Sequence, residues 1–220
     1  MSRRLQIDVF FDFICPWCLI GKRQLEHAQV QFRSRHPDVQ ISTVWHGVQL
    51  LPQLPVEGEP FADFYRKRLG NADAVTMRQA QVQQAAAAVG LTIDLSHIET
   101  MPNTADAHRL FERASALGNV AQREMLLERL FAAYFRKREN LGCRETLLAI
   151  ARSCGIDADA LLDCLKGDGT PFEGSPGATS GVPSFQFNGR MTVIGAQPAQ
   201  ALLGAMHEAI KESERERQPA

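Results

Sequence analysis

The sequence lacks the features that mark several large classes of protein. No apolar run among the 220 residues approaches the length of about 20 residues that a membrane-spanning helix needs. The formal net charge is only −1 at pH 7, so no basic excess is present to attract nucleic acid or an anionic membrane. The hydrophobic fraction of 45% and the charged fraction of 22% are typical of a globular domain. We therefore expect no nucleic-acid partner and no membrane.

Cysteine is scarce, and the odd count of five argues against a framework of disulfides. Only Cys15 and Cys18 are close in sequence, whereas Cys143, Cys154 and Cys164 are scattered through helical patterns. We therefore predict one reactive pair and three cysteines that pack as small apolar side chains.

The N-terminal segment loosely imitates an export signal, because Arg3 and Arg4 precede an apolar stretch. Asp8 and Asp12 interrupt that stretch, and no small-residue cleavage site follows it before Cys15. We therefore interpret the segment as a buried strand and expect the protein to be cytoplasmic.

Hydrophobic periodicity organises most of the chain into a βαβ unit and a helical block. Residues 5–13 predict a strand, 16–35 a helix and 39–45 a second strand. The period then becomes helical from about Leu50 to Gly167. The predicted helices are one that begins at Phe61 and others over residues 76–90, 103–118, 120–137, 144–154 and 158–166.

Strand periodicity returns near the C-terminus. Residues 182–187 and 191–194 predict two strands, and Asn188-Gly189 between them signals a two-residue hairpin turn. A terminal helix follows from Pro198. The order βαβ, helical block, ββα predicts an α/β fold with a large all-helical insertion. The predicted domains are an α/β domain from residues 1–50 and 168–220, and an inserted helical domain over residues 51–167.

The junction between the first strand and the first helix carries Cys15-Pro16-Trp17-Cys18. A thiolate attacks a disulfide, and at the start of a helix Cys15 meets unpaired N–H groups and the positive end of the helix dipole. Cys18 lies one helical turn further on, where it can close a disulfide or resolve a mixed one. Pro16 suits the first turn of a helix, and we expect Trp17 to screen the pair from water.

A CxxC pair can also be half of a zinc or iron–sulfur site, which needs two more ligands at ordered spacing. Cys143, Cys154 and Cys164 supply no second pair, so we predict no metal. A CxxC beside a βαβ unit indicates redox chemistry instead.

Gly181-Val182-Pro183 opens the strand that follows the helical block. A proline at the start of a strand is compatible with a cis bond, which presents backbone groups beside a dithiol. Together with the CxxC after the first strand, this makes Val182 and Pro183 candidate site residues.

Several stretches resemble the DsbA-like family of thiol–disulfide oxidoreductases, specifically its FrnE-like branch. They are Phe11–Arg23, Asn103-Thr104, Ala107–Leu110, Leu130–Phe135, Gly181–Pro183 and Gly195–Gln197. The resemblance covers residues 7–209 and implies a thioredoxin fold with a helical insertion. It also implies that Cys15 is the attacking thiol, Cys18 the resolving thiol and Pro183 a cis-proline.

The sequence departs from that family in two ways that bear on the chemistry. Gly47-Val48-Gln49-Leu50 stands where the family tends to have Pro-Phe-Glu-Leu, so no role of that glutamate transfers. DsbA has a histidine between its cysteines, whereas Pro16-Trp17 supplies no ionisable donor. We therefore expect a weaker oxidant than DsbA.

Other polar residues are weaker candidates. Asp12 is a candidate proton relay or a cap of the following helix, and Asn103 is most simply a helix cap. We interpret His46 and His108 as structural histidines. The candidate substrate-binding residues are Pro16, Trp17, Val182 and Asn103.

We predict an enzyme that exchanges disulfides with protein or low-molecular-weight thiols, without a bound cofactor and with glutathione as a candidate co-substrate. Kappa-class glutathione transferases and 2-hydroxychromene-2-carboxylate isomerases are rivals with a similar layout. They bind glutathione beside a serine, where this chain has Cys15 and a second thiol at Cys18. A chaperone-like binding module is a second rival, which would not need the intact CxxC. The oligomeric state stays open.

Overall fold

A computed structural model describes residues 3–174 and 181–215, and within these the chain forms two compact units. The sheet unit consists of residues 3–11, 17–48 and 181–215, and the helical unit of residues 12–16 and 49–174. None of the helices in these described ranges has the length and hydropathy that crossing a membrane requires.

The regular elements follow the predicted order βαβ, helical block, ββα. In chain order they are β1 (Arg3–Phe11), α1 (Pro16–Arg35), β2 (Val39–Gly47), β3 (Glu59–Pro60), α2 (Phe61–Leu69), α3 (Ala72–Ala87), β4 (Thr100–Met101), α4 (Ala105–Leu117), α5 (Val120–Phe135), α6 (Arg144–Ser153), β5 (Ser184–Phe187), β6 (Met191–Ile194) and α7 (Ala199–Arg215). The predicted α/β architecture with a helical insertion is confirmed.

The sheet unit is built on four strands in the order β2-β1-β5-β6. β2 runs parallel to β1, as the βαβ connection through α1 requires, and β5 and β6 are antiparallel additions. Leu5, Ile7 and Val9 of the central strand β1 are at most 1% exposed and pack in one core with residues of α1 and α7. The first strand is therefore buried, as predicted.

The hairpin between β5 and β6 has the turn that the sequence predicts. Asn188 has φ 50° and Gly189 has φ 71°, so both central residues adopt the left-handed conformation. Positive φ at both positions is the signature of a type I′ turn, whose twist matches that of the strands.

Two predicted boundaries are wrong for physical reasons that the structure shows. β1 ends at Phe11, and Phe13 packs in the helical unit against Phe111 and Phe131, with ring centroids 5.8 and 5.5 Å away. The helix predicted to open at Thr76 begins at Ala72, because the side chain of Asn71 caps it by accepting a hydrogen bond from the N–H of Ala74 at 2.8 Å.

The predicted helix over residues 158–166 is reduced to a single 3₁₀ turn, Asp159–Leu161. The guanidinium of Arg144 donates hydrogen bonds to the carbonyl oxygens of Leu162 and Leu165 at 3.0 and 2.8 Å. These carbonyls are therefore satisfied by a side chain, and the segment does not need a helix to satisfy them.

Candidate active site

Cys15 closes a tight turn that leads from β1 into α1. Its backbone N–H donates a hydrogen bond of 3.2 Å to the carbonyl oxygen of Asp12. Pro16 follows as the first residue of α1, as predicted, and costs no hydrogen bond there because the first N–H groups of a helix have no partner within it. Cys15 is 7% exposed and is not in a disulfide. It stands directly before the first turn of α1, whose N–H groups have no partner within the helix.

The carboxylate of Asp12 is fully buried and accepts hydrogen bonds from four groups of the helical unit. Oδ1 accepts from the backbone N–H of Ile14 at 3.4 Å and from Nε2 of His108 at 3.1 Å. Oδ2 accepts from the backbone N–H of Leu50 at 2.8 Å and from the hydroxyl of Thr104 at 3.4 Å. These bonds join the Cys15 turn to the start of α4.

The imidazole of His108 is buried and lies against two aromatic rings. The ring of Phe13 lies 5.0 Å away at 31° and that of Phe172 lies 5.1 Å away at 22°. His108 is hydrogen-bonded, as predicted, but its partner is Asp12, the first residue of the turn that Cys15 closes. The sequence did not predict this hydrogen bond, although Ala107–Leu110 is one of the stretches that resemble the DsbA-like family.

Tyr65 is a second residue that sequence analysis missed. Burial raises the pKa of its phenol above the ordinary value, and the negative charge of a Cys15 thiolate raises it further. Tyr65 lies on α2 and packs against Phe61, with ring centroids 4.6 Å apart. No sequence motif marks it, because only the fold of the helical unit brings α2 within electrostatic range of Cys15.

The second cysteine and the predicted cis-proline lie in the sheet unit. Cys18 is 1% exposed on the first turn of α1 and is not in a disulfide either. The Val182–Pro183 peptide bond is cis, as expected. A Cβ on Gly21 of α1 would stand 3.1 Å from Cγ of Pro183 and 3.0 Å from Cζ of Phe185. A larger residue here would require the side chains of Pro183 and Phe185 to shift by a few tenths of an ångström.

Asn103 is 5% exposed, and its amide is engaged by neighbours in the helical unit. Oδ1 accepts from the backbone N–H of Ala105, at the start of α4, and Nδ2 donates to the carbonyl of Leu54. The N-cap residue of α4 is Thr104, whose side chain makes no capping hydrogen bond, and it is Asn103 that satisfies the first N–H of the helix. Binding of substrate by Asn103 stays a prediction. The side chain of Gln49 links Asn103 to Phe172. It donates a hydrogen bond to Oδ1 of Asn103 and accepts one from the backbone N–H of Phe172.

Trp17 and Val182 of the sheet unit are half-buried, and Pro16 of the helical unit is buried. The burial of these three residues does not show whether they bind substrate, and that role stays a prediction. His46 is hydrogen-bonded within the sheet unit, where its Nε2 lies 2.8 Å from Oδ1 of Asp8. This agrees with its interpretation as a structural histidine.

The three remaining cysteines are free thiols, and only Cys154 is fully buried as predicted. Cys143 and Cys164 are half-buried. Burial raises the pKa of both Cys154 and Cys164. Within residues 3–174 and 181–215, no group of three or more histidine, cysteine or acidic side chains is arranged to hold a metal ion.

Comparison with known proteins places these features in a family context. The profile of the DSBA-like thioredoxin domain matches residues 6–171. The uncharacterized protein YwbO of Bacillus subtilis (strain 168) is 24% identical over 162 residues, which are 74% of this chain and 72% of YwbO.

Two solved structures share the fold across nearly the whole chain. A protein described as a probable DsbA oxidoreductase, SCO1869 of Streptomyces coelicolor, superposes with a TM-score of 0.81 at 24% identity, covering 98% of this chain and 92% of its own. A 2-hydroxychromene-2-carboxylate isomerase superposes with a TM-score of 0.61 at 15% identity, covering 97% and 100%. The thioredoxin fold with a helical insertion is thereby confirmed.

Proposed function

The chain belongs to the DSBA-like thioredoxin domain family, and from this premise we propose that it is a thiol–disulfide oxidoreductase whose working dithiol is Cys15–Cys18. The observation that carries the proposal is the position of Cys15 directly before the first residue of α1, with Cys18 on the first turn and neither cysteine in a disulfide. Membership of the FrnE-like branch stays a prediction from the sequence.

The reaction needs only thiol chemistry. The Cys15 thiolate attacks one sulfur of a substrate disulfide, so that a Cys15–substrate disulfide forms and the other substrate sulfur leaves as a thiolate. Cys18, having lost its proton, attacks the Cys15 sulfur and displaces the second substrate thiolate. Two electrons have then passed from the dithiol to the substrate, and Cys15–Cys18 is a disulfide. The reverse sequence oxidises a substrate dithiol.

The partners we propose are protein or low-molecular-weight thiols and disulfides, and the exchange requires no bound cofactor. Two glutathione molecules can return the Cys15–Cys18 disulfide to the dithiol and leave as glutathione disulfide, which makes glutathione a candidate co-substrate. Trp17 and Val182, both half-buried, offer surface to a substrate. We also propose the cytoplasm as its compartment, by analogy with DsbM of Pseudomonas aeruginosa, a cytosolic disulfide reductase that shares the fold.

Single substitutions separate the two thiols. We expect Cys15→Ser to abolish reduction of insulin by glutathione through this protein, because the attacking thiolate is gone. Cys18→Ser should instead accumulate mixed disulfides at Cys15, visible by mass spectrometry as added glutathione or substrate mass. Cys143→Ser is the matched control and should behave as the unsubstituted protein. Turnover that survives in Cys15→Ser would refute the proposal.

The fold shared with the isomerase favours a second candidate, a glutathione-dependent transferase or isomerase. In that mechanism one residue beside glutathione suffices, so Cys18→Ala should retain full glutathione-dependent activity. Dithiol exchange predicts loss of turnover in the same variant. A chaperone-like module would suppress aggregation of a denatured protein equally well with both cysteines replaced and would show no insulin reduction in any form.

A further inference from the structure

The mechanism above leaves unused a fully buried pair of ionisable side chains behind the Cys15 turn. The side chains of Asp12 and His108 are both 0% exposed. Burying such groups is costly unless they are paired and hydrogen-bonded. We propose that His108 is a positioning residue for thiol–disulfide exchange, which holds the Cys15 thiol at the start of α1 by acting through Asp12. This inference rests on the proposed function and adds a residue to its site.

Asp12 connects the Cys15 turn to α4, because it accepts hydrogen bonds from both at the same time. On the turn, its carbonyl oxygen accepts from the N–H of Cys15 at 3.2 Å, and its carboxylate accepts from the N–H of Ile14. On the other side, the same carboxylate accepts from Thr104 and from Nε2 of His108. Fixing the carboxylate therefore fixes the backbone that presents Cys15.

His108 is itself held rigidly, which a positioning role requires. The rings of Phe13 and Phe172 pack against its imidazole, with centroids 5.0 and 5.1 Å away. The backbone N–H of Phe172 donates to Oε1 of Gln49 at 2.7 Å, and Arg109 donates to the carbonyl oxygen of Pro171 at 2.8 Å. The segment that covers the imidazole is thus tied down by two side chains.

The ionisable groups near this pair come from several elements of the helical unit. Tyr134 of α5 lies within range of the Asp12 charge and Tyr65 of α2 within range of the Cys15 charge, and burial raises the pKa of both phenols. Their hydroxyls therefore stay protonated near neutral pH. Titration of these tyrosines therefore does not contribute to the reactivity of Cys15 near neutral pH.

The test is the rate of alkylation of Cys15 by iodoacetamide as a function of pH. His108→Leu removes the Nε2 donor, so the turn loosens and Cys15 loses part of the stabilisation at the helix start. We expect the profile to move to higher pH and the rate at mildly acidic pH to fall by about two- to fivefold. His108→Gln places an amide N–H where the imidazole has Nε2 and should restore most of the rate.

Two further variants keep the test decisive. His97→Leu is the control, because the His97–Asp94 pair of the helical unit has a similar separation of 2.7 Å but is exposed, so its loss should leave the profile unchanged. Thr104→Val removes another donor to Asp12 with little change of shape, and should shift the profile in the same direction even if His108→Leu fails to fold.

A merely structural His108 gives a different pattern. Both His108 variants and Thr104→Val would then lower the melting temperature while the alkylation profile of Cys15 stays in place, and that result overturns the inference. Failure of the proposed function is distinguishable, because it appears as turnover in Cys15→Ser, whereas alkylation of Cys15 does not depend on turnover.

Discussion

At the scale of single residues, the position of each cysteine predicts its reactivity. Cys15 directly precedes α1, whose positive end favours attack by a thiolate. Cys143 directly precedes α6 in the same way, but its thiol donates a hydrogen bond to Oε2 of Glu145 at 3.2 Å. Burial raises the pKa of Cys154 and Cys164 and so leaves them protonated near neutral pH. Alkylation at mildly acidic pH, read by peptide mass mapping, should therefore label Cys15 first. It should also label Cys15 before Cys18, which is only 1% exposed.

Labelling of the other cysteines provides the control for this prediction. Denatured protein should lose the selectivity, because all five thiols then share one environment. If Cys143, Cys154 or Cys164 reacts first in the native protein, the assignment of Cys15 as the nucleophile is wrong.

Sequence reasoning predicts the candidate site residues whose signal is local. Cys15 and Cys18 are marked by their spacing at a strand-to-helix junction, and Pro183 by its place at the start of a strand. His108 could not be connected to Asp12 in this way, because the two are 96 residues apart and their hydrogen bond forms only when α4 packs beside the turn. The spacing of apolar residues indicates which face of a helix is buried. It does not indicate which residues, distant in sequence, that face contacts.

At the scale of elements, the contact between α1 and β5 depends on one glycine. In Gly21→Ala the new Cβ would lie 3.0 Å from Cζ of Phe185 and 3.1 Å from Cγ of Pro183. Alanine gains about 1 kcal/mol over glycine in a helix, but overpacking of a core costs about 1–3 kcal/mol. We expect a net loss of up to about 2 kcal/mol in the free energy of unfolding, measured by urea denaturation.

Gly204 of α7 is the matched control for this substitution. It lies within a helix of the same unit, and a Cβ there would meet no atom within 4 Å. Gly204→Ala should therefore stabilise the protein by up to about 1 kcal/mol. Equal stabilisation by both substitutions would show that α1 and β5 can separate without cost, contrary to our account.

The elements that sequence reasoning found are those with strong local signals. The Asn188-Gly189 turn and the helix that begins with Pro16 were predicted correctly, because each depends on the backbone preferences of its own residues. β3 and β4 were missed, since strands of two residues are too short to show a period. The helix predicted over residues 158–166 failed because Arg144 satisfies carbonyls of that segment from α6.

At the scale of the whole molecule, the change from strand to helix period correctly predicted a helical insertion. The assignment of residues 12–16 to the helical unit was not predictable. Phe13 continues the alternation of β1 in the sequence, yet its ring packs against Phe111 and Phe131. A period describes the spacing of apolar residues along a segment and does not say which core receives them.

The reduction potential of the Cys15–Cys18 pair is also a property of the whole protein. DsbA lies at about −120 mV and thioredoxin at about −270 mV, a gap equivalent to roughly 7 kcal/mol. Here the helix start favours the Cys15 thiolate, but Trp17 between the cysteines supplies no positive charge, and its apolar bulk disfavours an anion. We therefore expect a potential below that of DsbA, in the range of about −200 to −270 mV that glutaredoxins and thioredoxin span.

Equilibration of the protein with glutathione buffers, followed by mass mapping of its cysteines, tests the central claim most directly. The account predicts a single disulfide between Cys15 and Cys18 that forms and disappears as a two-electron couple within about −200 to −270 mV. Cys143→Ser should give the same curve. A couple near about −120 mV would contradict our argument about Trp17. Absence of a Cys15–Cys18 disulfide at every ratio of oxidised to reduced glutathione would contradict the proposed function itself.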